Sequence, residues 1–194
     1  MNELKETLKT EYIRLFDEER KCVIEWEHLP PGSIQKKHIK GHEYYYLQYR
    51  DKAKIKSVYV RPDDVDEMSA QIDKRRQLKD QLRNIRKQMK ALESLIGRDE
   101  LNVSVIRSIV TRTAKTYPEI TAVTLFGSRA GSEYRDDSDV DLMFESSEPV
   151  SLMRQNKIRM ELEDRLGFSV DLVHGPLRDG DFLQADKQIK VYEA

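Results

Sequence analysis

Three short runs in the C-terminal half of the chain leave little choice of architecture: ITAVTLF (120–126), VDLMF (140–144) and SVDLV (169–173). Each is apolar or β-branched and bounded by turn residues, the pattern of a strand buried in a sheet. A sheet built from such strands must be covered by helices. Two candidates lie beside the runs. Val103–Tyr117 reads as a helix that ends before Pro118, and Ser151–Leu166 reads as another, with Leu152, Ile158, Leu162 and Leu166 as its apolar positions. Ile189–Tyr192 reads as a short edge strand. The expected fold class is therefore α/β in the α+β sense, a mixed sheet flanked by helices, occupying residues 98–194.

Two of these strands carry an acid where packing has no use for one. Asp139 and Asp141 are two residues apart and project to one face of a strand, while Val140 goes to the other. Asp171 sits between Val170 and Leu172 in the third strand. Neighbouring buried carboxylates are unfavourable unless a cation neutralises them. At the end of the first strand, Leu125-Phe126-Gly127-Ser128-Arg129-Ala130 offers a glycine with no Cβ in a ligand's way and a serine that looks set to open a helix, a ready anion site. Ten residues separate Ser128 from Asp139. Converging carboxylates beside an anion cradle suit Mg²⁺, which shares its shell between carboxylates and substrate phosphates. A pair of such ions can hold both ends of a phosphoryl displacement. Nucleotidyl transfer needs mainly positioning and charge neutralisation, so this is chemistry such a site can perform.

The order LFGSRA, GSEYRDDS, DVDLMF and then VDLV resembles the DNA polymerase β-type nucleotidyltransferases, and within them the minimal nucleotidyltransferases often paired with HEPN toxins. The likeness covers residues 102–194. It implies that Asp139 and Asp141 bind two Mg²⁺ ions, and that Gly127 and Ser128 hold the triphosphate of ATP or another nucleoside triphosphate. It further implies that Asp171 ligates the second ion and acts as general base, and that Arg129 adds a phosphate contact. The function implied is transfer of a nucleoside monophosphate, AMP in particular, to a hydroxyl of a protein or small molecule, in the setting of an antitoxin with a partner toxin. Many relatives carry an Arg and a Gly after the Ala of this motif, where this chain has Gly131 and Ser132, so the phosphate loop departs in detail. The alternative for the triad is a fold that has lost catalysis; the intact acids and Gly-Ser argue against it. Asp136 and Asp137 read as a solvated turn, Arg135 as a surface charge, and none of the four histidines has ligand spacing. Few residues follow Asp171, which argues against an acceptor-binding lid and a processive polymerase.

The N-terminal 97 residues have a different character. Charged residues make up 36% of the chain and hydrophobic ones 38%, a balance that calls for an elongated solvated part attached to a conventional core. Residues 1–26 read as a helix stopped by Pro30-Pro31-Gly32. Residues 33–60 read as a β-meander with a turn at Asp51-Lys52, and Pro62–Ile96 as a long helix. In that helix Leu78, Leu82, Ile85, Met89, Leu92 and Ile96 make a heptad stripe, suited either to the first helix or to a homodimer seam. Arg75 interrupts its upstream continuation from Val65, Met68 and Ile72. Lysines and arginines gather at 36–61 and again at 74–90, whereas residues 98–194 are net acidic, so the two modules should meet different partners. Tyr44, Tyr45, Tyr46 and Tyr49 among those basic residues permit two readings. Either they pack the meander onto the helices, or they stack bases while the cations meet phosphates. In the second reading the whole chain is a non-catalytic interaction protein that binds nucleic acid or a toxin. The module also resembles an uncharacterised strand–helix adaptor. No apolar run is long enough to span a membrane and the first residues lack a signal-peptide core. With one cysteine, Cys22, there is no disulfide framework, so a cytoplasmic protein is expected.

Overall fold

The computed structural model describes residues 2–132, 134–175 and 187–194. In chain order the elements are α1 (Asn2–His28), β1 (Ser33–Ile39), β2 (His42–Asp51), β3 (Lys54–Val60), α2 (Val65–Ile96), α3 (Arg98–Ala114), β4 (Ile120–Phe126), β5 (Val140–Ser146), α4 (Leu152–Leu166), β6 (Val170–His174) and β7 (Ile189–Glu193). They form two compact units, Glu18–Gln88 and Met1–Asp17 with Met89–Ala194. The division cuts both long helices instead of falling at Gly97–Asn102, where composition changes. Local contacts supply the reason. Tyr12 donates to Glu93 at 2.8 Å, Lys9 pairs with Glu100 at 2.7 Å, and Arg112 grips both oxygens of Asp17 at 2.8 and 3.0 Å, so the outer ends of α1 and α2 belong with α3.

In that larger unit the sheet order is β6-β5-β4-β7, with β5 and β6 parallel and the other pairs antiparallel. Alternation along the strands separates two faces. Phe144 of β5 and Leu172 of β6 line one small cavity with Ile158 and Leu162 of α4 and Val110 and Ala114 of α3, and Val140 and Leu142, of the same parity as Phe144, are fully buried. Asp141 and Asp171 take the opposite parity and face away from those helices. α4 begins at Ser151, whose hydroxyl accepts the Arg154 amide at 3.2 Å, and stops at Gly167 with φ 74°. Its inward residues are Ile158, Leu162 and Leu166. Leu152, expected on that face, is instead 80% exposed, because as the first helical residue it precedes the turn that reaches the sheet. α3 starts at Arg98, five residues earlier than its apolar spacing suggests, since Gly97 with φ 104° lets one helix follow another directly.

In the unit Glu18–Gln88, β1, β2 and β3 form the expected antiparallel meander. Its turns place Lys40, Gly41 and Lys52 at positive φ, as tight hairpin loops require. Leu47 and Val60 pack on Ile72 of α2, with Ile34, Tyr45, Tyr49, Val65 and Met68 around them. The α2 stripe is used inside the chain. Leu78, Leu82 and Ile85 are buried, and beside them Arg86 pairs with Glu19 at 2.5 Å and Gln81 donates to Glu18 at 3.1 Å. The stripe therefore has its partner in α1. Arg75 breaks the stripe because it serves the end of α1: its guanidinium lies 3.8 Å from the Trp26 ring centre and donates to the Trp26 and Leu29 carbonyls. No helix among the described residues is long and apolar enough to cross a membrane.

Replacing fully buried Ile109 with alanine is expected to lower stability by about 2–5 kcal/mol in urea unfolding. Leu152→Ala should shift it by about 0.5 kcal/mol or less. Equal losses at the two positions would contradict the assigned faces.

Candidate active site

The centre of the site is set by β5, the strand held on both sides. Asp141 lies in register with Phe126 of β4 on one flank and with Asp171 of β6 on the other. Adjacent strands run about 4.8 Å apart, so the two aspartates are neighbours by backbone geometry alone. The leading ends of β5 and β6 are tied by the Val140 amide donating to the Ser169 carbonyl at 2.9 Å. Asp139 precedes the strand by one residue and is exposed, Asp171 is exposed, and Asp141 is half-buried. Burial holds the Asp141 carboxyl above its ordinary value, with Asp171 and then Asp139 pushing the same way and Arg129 opposing them. The three acids thus share one electrostatic neighbourhood.

Gly127 makes that crowding sterically feasible. Its φ of 69° disfavours any side chain, and a Cβ there would sit 2.1 Å from Asp141 Oδ2. The carboxylate occupies the space that every other residue would fill. Ser128 stands exposed beside it. The helix that Ser128 was expected to open is only a single 3₁₀ turn, Ser128–Ala130, closed by Ala130 N–H to Gly127 O at 3.2 Å and Gly131 N–H to Ser128 O at 3.0 Å. Gly131-Ser132 gives a helix little reason to continue, so the site has a short turn of amides rather than a helix terminus.

Arg129 is placed differently from its sequence expectation of a phosphate contact. It is 2% exposed. Its guanidinium donates to the Ser138 carbonyl at 2.9 Å, the Asn102 side-chain oxygen at 3.0 Å and the Asp136 carbonyl at 3.3 Å. The Phe168 and Tyr134 rings cover it, with centres 4.0 and 5.1 Å away. Committed in this way, the side chain braces the loop that delivers Asp139. Asn102, Tyr134 and Phe168 went unnoticed in the sequence, since nothing local ties them to Arg129. The Asp136–Asp137 turn is as expected: Asp136 reaches Arg98 and Asp137 reaches Arg135 at 3.6 Å, both pairs at the surface. The expected absence of a lid after Asp171 concerns residues 176–186 in part, which lie outside the described residues.

As a donor set, three carboxylates with no hydrogen-bonding cation among the described residues suit a hard divalent ion. Among the described residues no three such groups stand close enough to form a ready-made cage. Like-charged carboxylates repel one another, and a divalent cation between them would offset that repulsion.

Two family models match separate stretches of the chain. Residues 108–190 match the family model described as polymerase beta, nucleotidyltransferase. Residues 2–70 match a domain family of unknown function, DUF6788. A 74-residue stretch is 32% identical to MJ1217 of Methanocaldococcus jannaschii, provisionally assigned as a protein adenylyltransferase, covering 37% of this chain and 76% of that protein. The protein adenylyltransferase MntA of Thermococcus cleftensis is 36% identical over 76 residues, covering 38% of this chain and 77% of its own. A solved toxin–antitoxin complex with AMP-PNP aligns at a TM-score of 0.41 and 16% identity over 45% of this chain and 73% of the other, a likeness too slight to establish a common fold.

Two outcomes follow from this geometry. Gly127→Ala should leave a folded chain, judged by circular dichroism, with Mg²⁺ or Mn²⁺ affinity reduced by about tenfold or more if the displaced Asp141 carboxylate is a metal ligand; unchanged affinity would count against that role. In the metal-free chain the charged form of Asp141 is disfavoured by folding, so Asp141→Asn should raise the melting temperature at neutral pH. That gain should shrink as pH falls and the wild-type carboxyl protonates. Mg²⁺ should raise the wild-type melting temperature more than the variant's.

Proposed function

This chain belongs to the polymerase β nucleotidyltransferase family, and from that membership we propose that it transfers AMP from ATP, with Mg²⁺, to a hydroxyl on a protein. The observation that carries the reading is the in-register pairing of Asp141 with Asp171 beside the Gly127 turn. The nucleotidyltransferase module proposed is 98–194, with 1–97 a separate module; the separate family matches at 108–190 and 2–70 support that division. The proposed acceptor is a protein because the relatives described above are protein adenylyltransferases. In keeping with the resemblance to minimal nucleotidyltransferases, a partner toxin is the proposed recipient.

Each residue has a task in this scheme. The carboxylates of Asp139, Asp141 and Asp171 would hold Mg²⁺, two ions in the full proposal, which supplies charge neutralisation on the triphosphate and the departing pyrophosphate. The amides of the Ser128 turn and the Ser128 hydroxyl would receive phosphate oxygens, and the bare Cα of Gly127 lets the chain come close to them. The Asp171 carboxylate accepts the acceptor hydroxyl's proton as the oxygen attacks the α-phosphorus. The α–β bridging bond then breaks and pyrophosphate leaves. Arg129, held by Asn102 and the aromatic rings, keeps Ser138 and hence Asp139 in place.

ATP labelled at the α-phosphate, with Mg²⁺ and a cell extract, should give a labelled protein, whereas γ-labelled ATP should not. Asp139→Asn and Asp141→Asn should reduce labelling on the order of 100-fold or more, and a chelator should abolish it. Equal labelling by wild type and both variants would remove these acids from the mechanism, and γ-label transfer would make the reaction a phosphorylation.

A further inference from the structure

We propose that the solvent face of the β1–β3 meander binds single-stranded nucleic acid through Tyr44, Tyr46 and Tyr59, with Lys37 and Arg50 receiving the phosphates. The argument begins with strand parity. Residues 45, 47 and 49 of β2 form one face, which packs on α2 through Leu47 and the rings of Tyr45 and Tyr49. Residues 44, 46, 48 and 50 form the other. The register brings Lys37 opposite Tyr44, Gln35 opposite Tyr46 and Tyr59 opposite Tyr46, all on that second face. The four neighbouring tyrosines of the sequence therefore divide. Tyr45 and Tyr49 serve packing, and Tyr44 and Tyr46 stand outside with Tyr59.

The outer rings form a cluster, Tyr59 lying tilted at 57° to Tyr44 and edge-on at 70° to Tyr46. Tyr59 is half exposed, its ring centre 5.8 Å from that of Tyr46 and 6.4 Å from that of Tyr44, and the Lys37 ammonium stands 5.0 Å over the Tyr46 ring. Cross-strand aromatic pairs stabilise a hairpin by themselves, so the rings alone would prove nothing. The charge distribution is the second, independent observation. Both acids of the meander, Glu43 and Asp51, lie on the packed face, where Lys36 and Lys56 neutralise them, the Lys36–Glu43 pair at 2.7 Å. No strand position of the outer face holds an acid. Lys37 and Arg50 are exposed beside the partly exposed rings of Tyr44 and Tyr46, and no acid pairs with either cation among the described residues. Gln35 and Gln48, between them, offer amide donors and acceptors for base edges.

This chemistry favours unpaired strands. A base can stack on a tyrosine only when its own face is free, while lysine and arginine track the backbone without regard to sequence. Duplex offers phosphates but no open base faces, and an acidic protein surface offers neither stacking partner nor regular phosphates.

Fluorescence anisotropy of the full chain with labelled single strands of about 12 nucleotides, a length in the range one such site covers, tests the proposal. Single strands should bind at least about tenfold more tightly than the same sequence as duplex, with affinity falling steeply as salt rises. Tyr46→Ala and Tyr59→Ala should each weaken binding by about tenfold, and the Phe variants should retain it within about threefold. Lys37→Gln and Lys36→Gln make the decisive pair, because they are adjacent, surface-exposed and remove the same charge from opposite faces. Lys37→Gln should weaken binding several-fold more. Equal effects of the two lysines, equal affinity for duplex, or no binding at low salt and micromolar protein would each overturn the proposal. The lysine comparison stands even where a tyrosine variant fails to fold.

Discussion

The catalytic half of this protein depends on holding Asp141 where an isolated chain would not keep it: half-buried, alongside Asp171 and against the bare Cα of Gly127. Charged carboxylates in such a place oppose folding. What holds them is the other face of the same strands, where Val140, Leu142 and Phe144 are fully buried under α3 and α4. One strand thus carries Val140, Leu142 and Phe144 into the core and turns Asp141 to its other face. The sheet order β6-β5-β4-β7 places that strand internally, so its backbone is pinned on both sides and its acid cannot drift. The burial and like-charge repulsion that raise the Asp141 carboxyl are what a bound divalent cation would relieve.

A second form of support acts on Asp139, which lies outside the strand ladder. The Arg129 side chain fills the space beneath the loop 134–138, bonded to two of its carbonyls and sandwiched by two rings. Arginine suits this role because its planar fork satisfies several carbonyls at once and its faces tolerate aromatic contact. The hydrogen bond from Arg129 to Asn102 carries the support to α3, so the loop before Asp139 and a core helix share one anchor.

Both cation-rich segments of the N-terminal half resolve by the same geometric rule. In α2 the basic positions flank an apolar stripe that α1 covers, and two of the cations, Lys74 and Arg86, pair with the α1 acids Glu25 and Glu19. In the meander, alternation separates a face that neutralises its own acids from one that leaves its cations free. Composition alone assigns both segments the same basic character.

The sequence was sufficient for the elements and for their chemical sides. The strand runs at 120–126, 140–144 and 169–173, the meander, the two long helices, and the placement of Asp141 and Asp171 on strands were legible because backbone periodicity is written locally, residue by residue. Gly127 was legible as a turn, though not its reason. What only the tertiary structure decided is which neighbour fills each exposed face. Ser128 opens a single turn and not a helix, Arg129 is buried by Asn102, Tyr134 and Phe168, Leu152 lies outside the core, and the stripe on α2 belongs to α1. The tyrosines at 44–49 divide between two faces according to how β2 packs. Each of these outcomes depends on partners far away in the chain, and a contact between distant segments leaves no periodic trace in either of them.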